Sequence, residues 1–202
     1  MAILSLEMPQ GRFEEARELL AHIPGGAEKA VARALNRAME GARTEAARLM
    51  KERYTMKVSD FKKQFVIFKA SPGNLTARIM TRSAKAAVTE FKHLPQNPPR
   101  QKGIPVSARK KVTTEIVAGQ TRGWSHAFLA RMKSGHLGLW TRSETETTKK
   151  GHAVIHEFFS LGTPQMFGYG PIIRRVMETA RERLDKELEH QIQFLLSGGK
   201  LG

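Results

Sequence analysis

Apolar residues return at helical spacing over residues 27–53, where Val31, Leu35, Ala38, Ala42, Ala46 and Leu49 fall on one side of a long helix. Most are alanines, and such small side chains let another backbone approach closely. Lys29, Arg33 and Arg37 fall on another face, which reads as a solvated surface or as a phosphate-facing stripe. A second long stripe runs through Ile173, Met177, Ala180, Leu184, Leu188, Ile192 and Leu195. Pro171 suits the first position of that helix, and Ser197-Gly198-Gly199 stops it. Near the start, residues 2–8 alternate weakly as a short strand does. Pro9 then opens a shorter helix with Phe13, Ala16, Leu19 and Leu20 on its apolar side. Glu14, Glu15 and Glu18 sit near its early turns, where negative charge is favourable, and Pro24-Gly25-Gly26 ends it.

Between the long helices the period changes from helical to alternating. Phe61, Phe65, Val66, Ile67 and Phe68 form an apolar cluster laced with Lys62, Lys63 and Lys69. After the turn Ser71-Pro72-Gly73-Asn74, residues 75–81 place Leu75, Ala77 and Ile79 on one side and Thr76 and Arg78 on the other, which predicts a half-buried strand. Residues 112–117 and 154–159 are further strand candidates. Residues 127–132 and 137–142 flank Lys133-Ser134-Gly135-His136, a connection of hairpin length. Two stretches resist regular structure. One is proline-dense, with Pro95, Pro98, Pro99 and Pro105, and reads as an exposed basic loop or arm. The other, residues 143–151, is polar and threonine-rich and is expected as a second mobile loop. Residues 162–170 are turn-rich.

The expected fold class is therefore α+β: long N-terminal helices, a central antiparallel sheet with extended basic loops, and a long C-terminal helix. At 22.6 kDa the chain is expected as one domain, residues 1–202, made of a helical part (1–53), a basic β-rich part (54–170) and a closing helix (171–197). No stretch approaches the ~20 apolar residues of a membrane helix. The first nine residues lack the basic region of a signal peptide, so the chain reads as soluble and made in the cytoplasm.

Charge sharpens this picture. Of a formal +15, residues 1–60 carry +1, residues 61–99 carry +6, residues 100–150 carry +8 and residues 151–202 carry none. A positive field concentrated in one region favours polyanions or acidic protein surfaces. Arg100, Lys102, Arg109, Lys110 and Lys111 in the proline-dense loop, with Lys149 and Lys150 in the polar loop, are the candidate DNA- or partner-facing residues. Trp124, Phe128, Trp140 and Tyr169 are interleaved with basic residues, as in single-strand binders, but the strand positions of Phe128 and Trp140 equally suit a core.

Candidate chemistry is sparse. With no cysteine, disulfides, thiolate metal sites and cysteine nucleophiles are excluded. No glycine-rich phosphate loop and no nucleophile elbow appears, and Ser125-His126 is only a neighbouring pair. His152 and His156, followed by Glu157, have helical metal-ligand spacing, yet they lie in a strand-like pattern that separates them. Residues 61–150 contain four acids, Glu90, Glu115, Glu144 and Glu146, too few to hold Mg²⁺ easily. No catalytic residue, cofactor or metal ligand is assigned.

The stretch Ala127-Phe128-Leu129-Ala130-Arg131-Met132-Lys133-Ser134-Gly135-His136-Leu137-Gly138-Leu139-Trp140-Thr141-Arg142 resembles the signature of the bacteriophage minor tail protein Z family, the tail completion proteins of lambda-like phages. In that pattern an Ala-Phe strand, a Ser-Gly-His turn and an aromatic-x-Arg strand occur together. Ala34-Leu35-Asn36-Arg37 and Ala42-Arg43-Thr44-Glu45-Ala46 look like the family's opening helix. Phe159-Ser160-Leu161-Gly162-Thr163-Pro164-Gln165-Met166 looks like its closing segment, with Leu161-Gly162-Thr163-Pro164 where a Gly-Pro-Ser-x-Pro-type turn is expected. The resemblance covers most of residues 27–197, and its motifs are structural.

It implies a structural protein of the virion tail, made in the bacterial host cytoplasm, that acts at the head-proximal end to prepare the tail for head joining and DNA positioning. It implies no cofactor. The implied partners are other tail and neck proteins (tail terminator, head–tail connector), further copies in a ring, and the DNA end in the tail lumen. A free-standing, sequence-independent nucleic-acid-binding protein of prophage origin is the alternative. A metal-dependent nuclease using His152, His156 and Glu157 is a third reading.

Overall fold

The computed structural model describes residues 1–82, 85–99 and 111–199. It is α+β, as the periodicities predict, with strands β1 (Ala2–Glu7), β2 (Phe65–Phe68), β3 (Thr76–Thr81), β4 (Lys85–Ala87), β5 (Lys92–Leu94), β6 (Val112–Glu115), β7 (Thr121–Trp124), β8 (Ala127–Arg131), β9 (Leu137–Thr147), β10 (Ala153–Glu157) and β11 (Phe159–Leu161). The helices are α1 (Gln10–Leu19), α2 (Gly26–Arg53), α3 (Val58–Gln64), α4 (Thr163–Phe167) and α5 (Gly170–Leu196). The strands are all antiparallel, but among the described residues they form four small sheets rather than one central one: β1-β3-β2, β5-β6-β7, β10-β9-β8 and β11-β4.

The chain divides into two compact units. The first gathers residues 1–50, 59–83 and 163–202, and the second gathers residues 51–58 and 84–162. Both long helices and the sheet β1-β3-β2 belong to the first. Helix α2 buries Ala30, Val31, Ala34, Leu35, Ala38, Ala42 and Ala46 completely, so its alanine face is a packing face. Helix α5 runs alongside it in the opposite direction. Arg37 on α2 meets Glu187 on α5 at 3.3 Å, and one turn further along α2 the Arg183 side chain lies over Gly41. Of the three cations set apart on α2 by the sequence, Arg37 is thus engaged by its own unit.

The buried row of α5 differs from the expected one at its start. Ile172 and Val176 are buried, whereas Ile173 and Met177 are half-buried. From Ala180 onward the expected Leu184, Leu188, Ile192 and Leu195 are all buried, joined by Gln191. Steps of four back from Ala180 reach Val176 and Ile172, so a straight helix keeps those two on the core side. The sheet closes this core from outside α2 and α5, with Leu4, Leu6, Ala77 and Ile79 inward. The Phe65 ring meets that of Phe167, from α4, edge-on with centroids 5.2 Å apart.

The second unit has a smaller core, in which Val88, Val112, Leu129 and Leu139 are buried against half-buried Trp124, Ala127, Leu137 and Phe158. Residues 53–55 are stitched to the β6–β7 connection: Tyr54 bridges Val117, the Ala118 amide donates to the Arg53 carbonyl at 2.8 Å, and the Thr55 hydroxyl donates to the Glu115 carbonyl. No described helix is long and apolar enough to cross a membrane.

Candidate polyanion interface

The basic residues singled out by the sequence are strung along connections of the second unit, and strand register decides where those connections emerge. Val112 at the start of β6 pairs with Trp124 at the end of β7. The chain then passes through Ser125 and His126 into β8, where Ala127 pairs with Thr141 of β9, and Thr141 in turn pairs with His156 of β10. The Thr141 hydroxyl ties the link by donating to the His126 carbonyl at 3.3 Å. Leu94, at the end of β5, pairs with Thr113 of β6. One end of these strands therefore carries Lys111, the 125–126 link and Arg142, and from it rises the hairpin of β9 and β10.

That hairpin replaces the mobile loop expected over residues 143–151. β9 continues to Thr147, pairs with Ala153 of β10 across a bulge, and turns over at residues 148–151. The turn is closed by the Thr148 amide donating to the His152 carbonyl at 2.7 Å and the Gly151 amide to the Thr148 carbonyl at 2.8 Å. Gly151 sits at φ +77°, where a side chain would be strained. Every residue from 144 to 152 is exposed, so Lys149 and Lys150 stand at the tip of a projecting two-stranded arm. Lys111 is exposed as well. Arg100, Lys102, Arg109 and Lys110 lie outside the described residues.

These cations are not consumed by nearby acids. Lys111, Lys149 and Lys150 have no ion-pair partner among the described residues, whereas three acids of the unit are engaged elsewhere. Glu146 meets His156 Nε2 at 2.8 Å, Glu157 meets His136 Nε2 at 2.7 Å, and Glu115 meets Lys92 Nζ at 2.6 Å. By sequence the second unit holds 16 Lys and Arg against 6 Asp and Glu, a formal +10, while the first holds 18 against 13.

Two arginines outside the predicted set add to this surface. The Arg122 guanidinium lies 4.3 Å from the Trp124 ring centroid, and that of Arg142 lies 5.1 Å from the Phe128 centroid. Arg122 and Trp124 share a face of β7 at the period of two, and Phe128 is one diagonal step across β8–β9 from Arg142. Stacking orders the guanidinium plane while leaving its N–H edge free for an anion. The Trp124 ring is itself part of the core margin. Trp124 packs on Phe158 at 4.6 Å and donates its indole N–H to Thr114 Oγ1 at 2.9 Å. The alternation of basic and aromatic residues was the available sequence signal, and here one ring serves both packing and stacking.

His152, His156 and Glu157 are not brought together. His156 and Glu157 are adjacent on β10, hence on opposite faces, and each takes a different partner. On the outer face Glu157, His136 and the Trp140 indole crowd over Gly138, where a Cβ would fall 2.7 Å from Trp140 Nε1 and 2.8 Å from the Glu157 carboxylate. Among the described residues no group of three or more His, Asp or Glu side chains is placed to hold a metal ion.

At the opposite end of β6, Glu115 pins the turn. Its carboxylate accepts from Lys92 and, at 2.7 Å, from the amide of Gly119. The hydrogen bond from Lys92, then that from Gly119, hold its pKa below the ordinary carboxylate value. The group is thus easier to ionise folded than unfolded. Its contribution is present above the unfolded carboxylate range and is lost as pH falls through the lowered folded value. The Gly119 amide resonance should move as pH drops below the usual carboxylate range, and Glu115→Gln should abolish that movement. An unchanged titration in the variant would remove Glu115 as its source.

Comparison of the chain with family models, with curated proteins and with solved structures finds no match.

Proposed function

We propose that this chain is a tail completion protein of a long-tailed phage. It works as a ring or ring-bound subunit at the head-proximal end of the tail, and its β-rich unit faces the DNA end in the lumen. The single observation that carries the interface is the emergence of Lys111, Lys149, Lys150 and Arg142 at one end of that unit, the three lysines exposed and without an acidic partner among the described residues. The resemblance of residues 127–142 to the minor tail protein Z signature carries the phage assignment. In a ring each subunit's modest charge is multiplied, so many weak phosphate contacts add without reading sequence.

The chemistry required is charge alone, and salt tests it. DNA retention by assembled protein is expected to fall steeply as salt rises from about 50 to 200 mM, because each phosphate contact releases condensed counterion. The protein is assayed by size exclusion with light scattering beside a DNA-shift titration. Weak binding by the monomer and strong, salt-sensitive binding by the oligomer support the tail reading. Tight binding by an isolated monomer favours the free-standing nucleic-acid-binding protein instead. Retention indifferent to salt refutes both, and retention of acidic tail-terminator or connector protein without DNA turns the basic end toward a protein surface.

A further inference from the structure

The sheet β10-β9-β8 has two faces, and its buried core lies on one of them. Leu129 and Leu139 pair across the strands and point to the core side, with Phe158 packed against them. Phe128 and Trp140, each one residue along, point to the other side, where they stand directly opposite one another on neighbouring strands. Neither belongs to the core cluster, and both are half-buried. Charge alone gives these two rings no role.

The Trp140 indole lies along the sheet rather than standing off it. Its Nε1 and Cε2 atoms fall 2.7 and 2.8 Å from where a Gly138 Cβ would sit, and its N–H reaches across to the Ala130 carbonyl at 3.3 Å. Gly138 is thus the seat of the ring. The His136 ring lies perpendicular to it with centroids 6.2 Å apart, so it does not take the indole's face as a parallel ring would.

Arg142, two residues beyond Trp140 on the same face, brings its guanidinium to 5.1 Å from the Phe128 centroid. Cations therefore stand at both ends of the rings: Arg142 and the lysines of the basic end on one side, exposed Arg131 and Lys133 at the β8–β9 turn on the other. Two acids share the face. Glu157, opposite Trp140, is only 11% exposed and is bound by His136, so it presents no bare carboxylate. Glu144 is exposed, but lies beyond Arg142 on the arm.

Two rings side by side on a sheet face, between cations, suit an unpaired base. Every base has a π-face whatever its identity, and a guanidinium plane stacks on a base as a ring does. A duplex keeps those faces stacked inside and offers only its backbone and groove edges. We propose that the outer face of β10-β9-β8 binds single-stranded nucleic acid, with bases stacked on Trp140 and on the Phe128–Arg142 pair and with phosphates carried on to the basic end. This rests on the reading of that end as a DNA contact and narrows its ligand to an unpaired strand.

The test uses the full chain and three labelled probes of equal phosphate number: a thymidine strand, an abasic strand and a blunt duplex. Fluorescence anisotropy at about 100 mM salt should show the thymidine strand bound about tenfold more tightly than the abasic one, since stacking is the only difference between them. Trp140→Leu should remove that preference and leave abasic binding unaltered, and Trp140→Phe, which keeps a ring, should restore most of it. Urea unfolding checks that the leucine variant is folded. The amide resonances of Ala130 and Gly138 should shift with the thymidine strand and not with the abasic one. Equal binding of the two strands, or equal weakening of both by Trp140→Leu in a folded protein, overturns the proposal and leaves the basic end as a contact made by charge. If none of the three probes binds at about 50 mM salt, the basic end falls as a DNA contact and this proposal with it. If Trp140→Leu leaves both strands bound as before and shifts the sedimentation of the protein alone, the face is a contact between copies and the proposal fails.

Discussion

Reversing both lysines at the tip of the arm, Lys149→Glu with Lys150→Glu, is expected to leave the fold intact and to cost the assembled protein DNA retention by tenfold or more at about 100 mM salt. The two side chains stand in the turn at residues 148–151, exposed, with no acidic partner among the described residues. Nothing in the core of the unit reaches that far, since Val112, Leu129 and Leu139 lie at the base of the strands. The effect on folding should therefore stay within the roughly ±0.5 kcal/mol typical of surface changes. The effect on binding should be large because every subunit of a ring carries the change. Two phosphate contacts removed per subunit should also flatten the log–log salt slope by about 2 for each subunit engaged. Glu144→Gln, on the same arm, is the control. It removes a negative charge and should strengthen retention. A doubly reversed protein that retains DNA and supports head joining at the unaltered level would dismiss the arm as the contact.

How far the sequence carried this picture depended on whether burial left a mark. The faces of α2 and most of α5 were legible because each buries one stripe, and a buried stripe writes the helical period into the chain. β3 was legible for the matching reason, with Ala77 and Ile79 inward and Arg78 outward. The upper half of β9 was not. Ser143, Glu144, Thr145, Glu146 and Thr147 form a strand that buries nothing, so no apolar alternation exists to be read. Its threonines favour extended backbone, and the pairing with β10 does the rest. β4 and β11, three residues each, are held by pairing with one another across a long separation in sequence, which no local pattern records. α3 and α4 are too short for a period, although Phe61 and Phe167 anchor them. At the candidate interface, the lysines announced themselves by composition. Arg122 and Arg142 did not, because their role comes from the rings beneath them and needs the register to be known. The hairpin expected over residues 127–142 is present, β8 and β9 closed by Lys133-Ser134-Gly135-His136, and its Gly138 makes room for the Trp140 indole.

The largest loss of stability is expected from Leu35→Ala. Leu35 is fully buried in the middle of α2, between Val31 and Ala38 on the same face. The substitution keeps helix propensity, since alanine is the best helix former, so the whole penalty comes from packing. Part of it is lost transfer free energy, and part is the cavity left where the surroundings fail to close. Here they have little to close with. Among its neighbours on α2, Ala34, Ala38 and Ala42 have no side chain long enough to swing into the gap, which leaves the buried Met39 one turn on. The cost should thus lie in the upper part of the 2–5 kcal/mol range for such changes. Leu139→Ala is the informative comparison. Leu139 is 1% exposed but borders Trp124 and Phe158, which are only partly buried and can settle inward. Its cost should fall in the lower part of the same range, roughly 2–3 kcal/mol. Urea unfolding of the two variants, with the slope checked for constancy, measures both. An order reversed between them would show that the alanine face of α2 yields more readily than the small core of the β-rich unit, and that close helix packing is not what holds the first unit together.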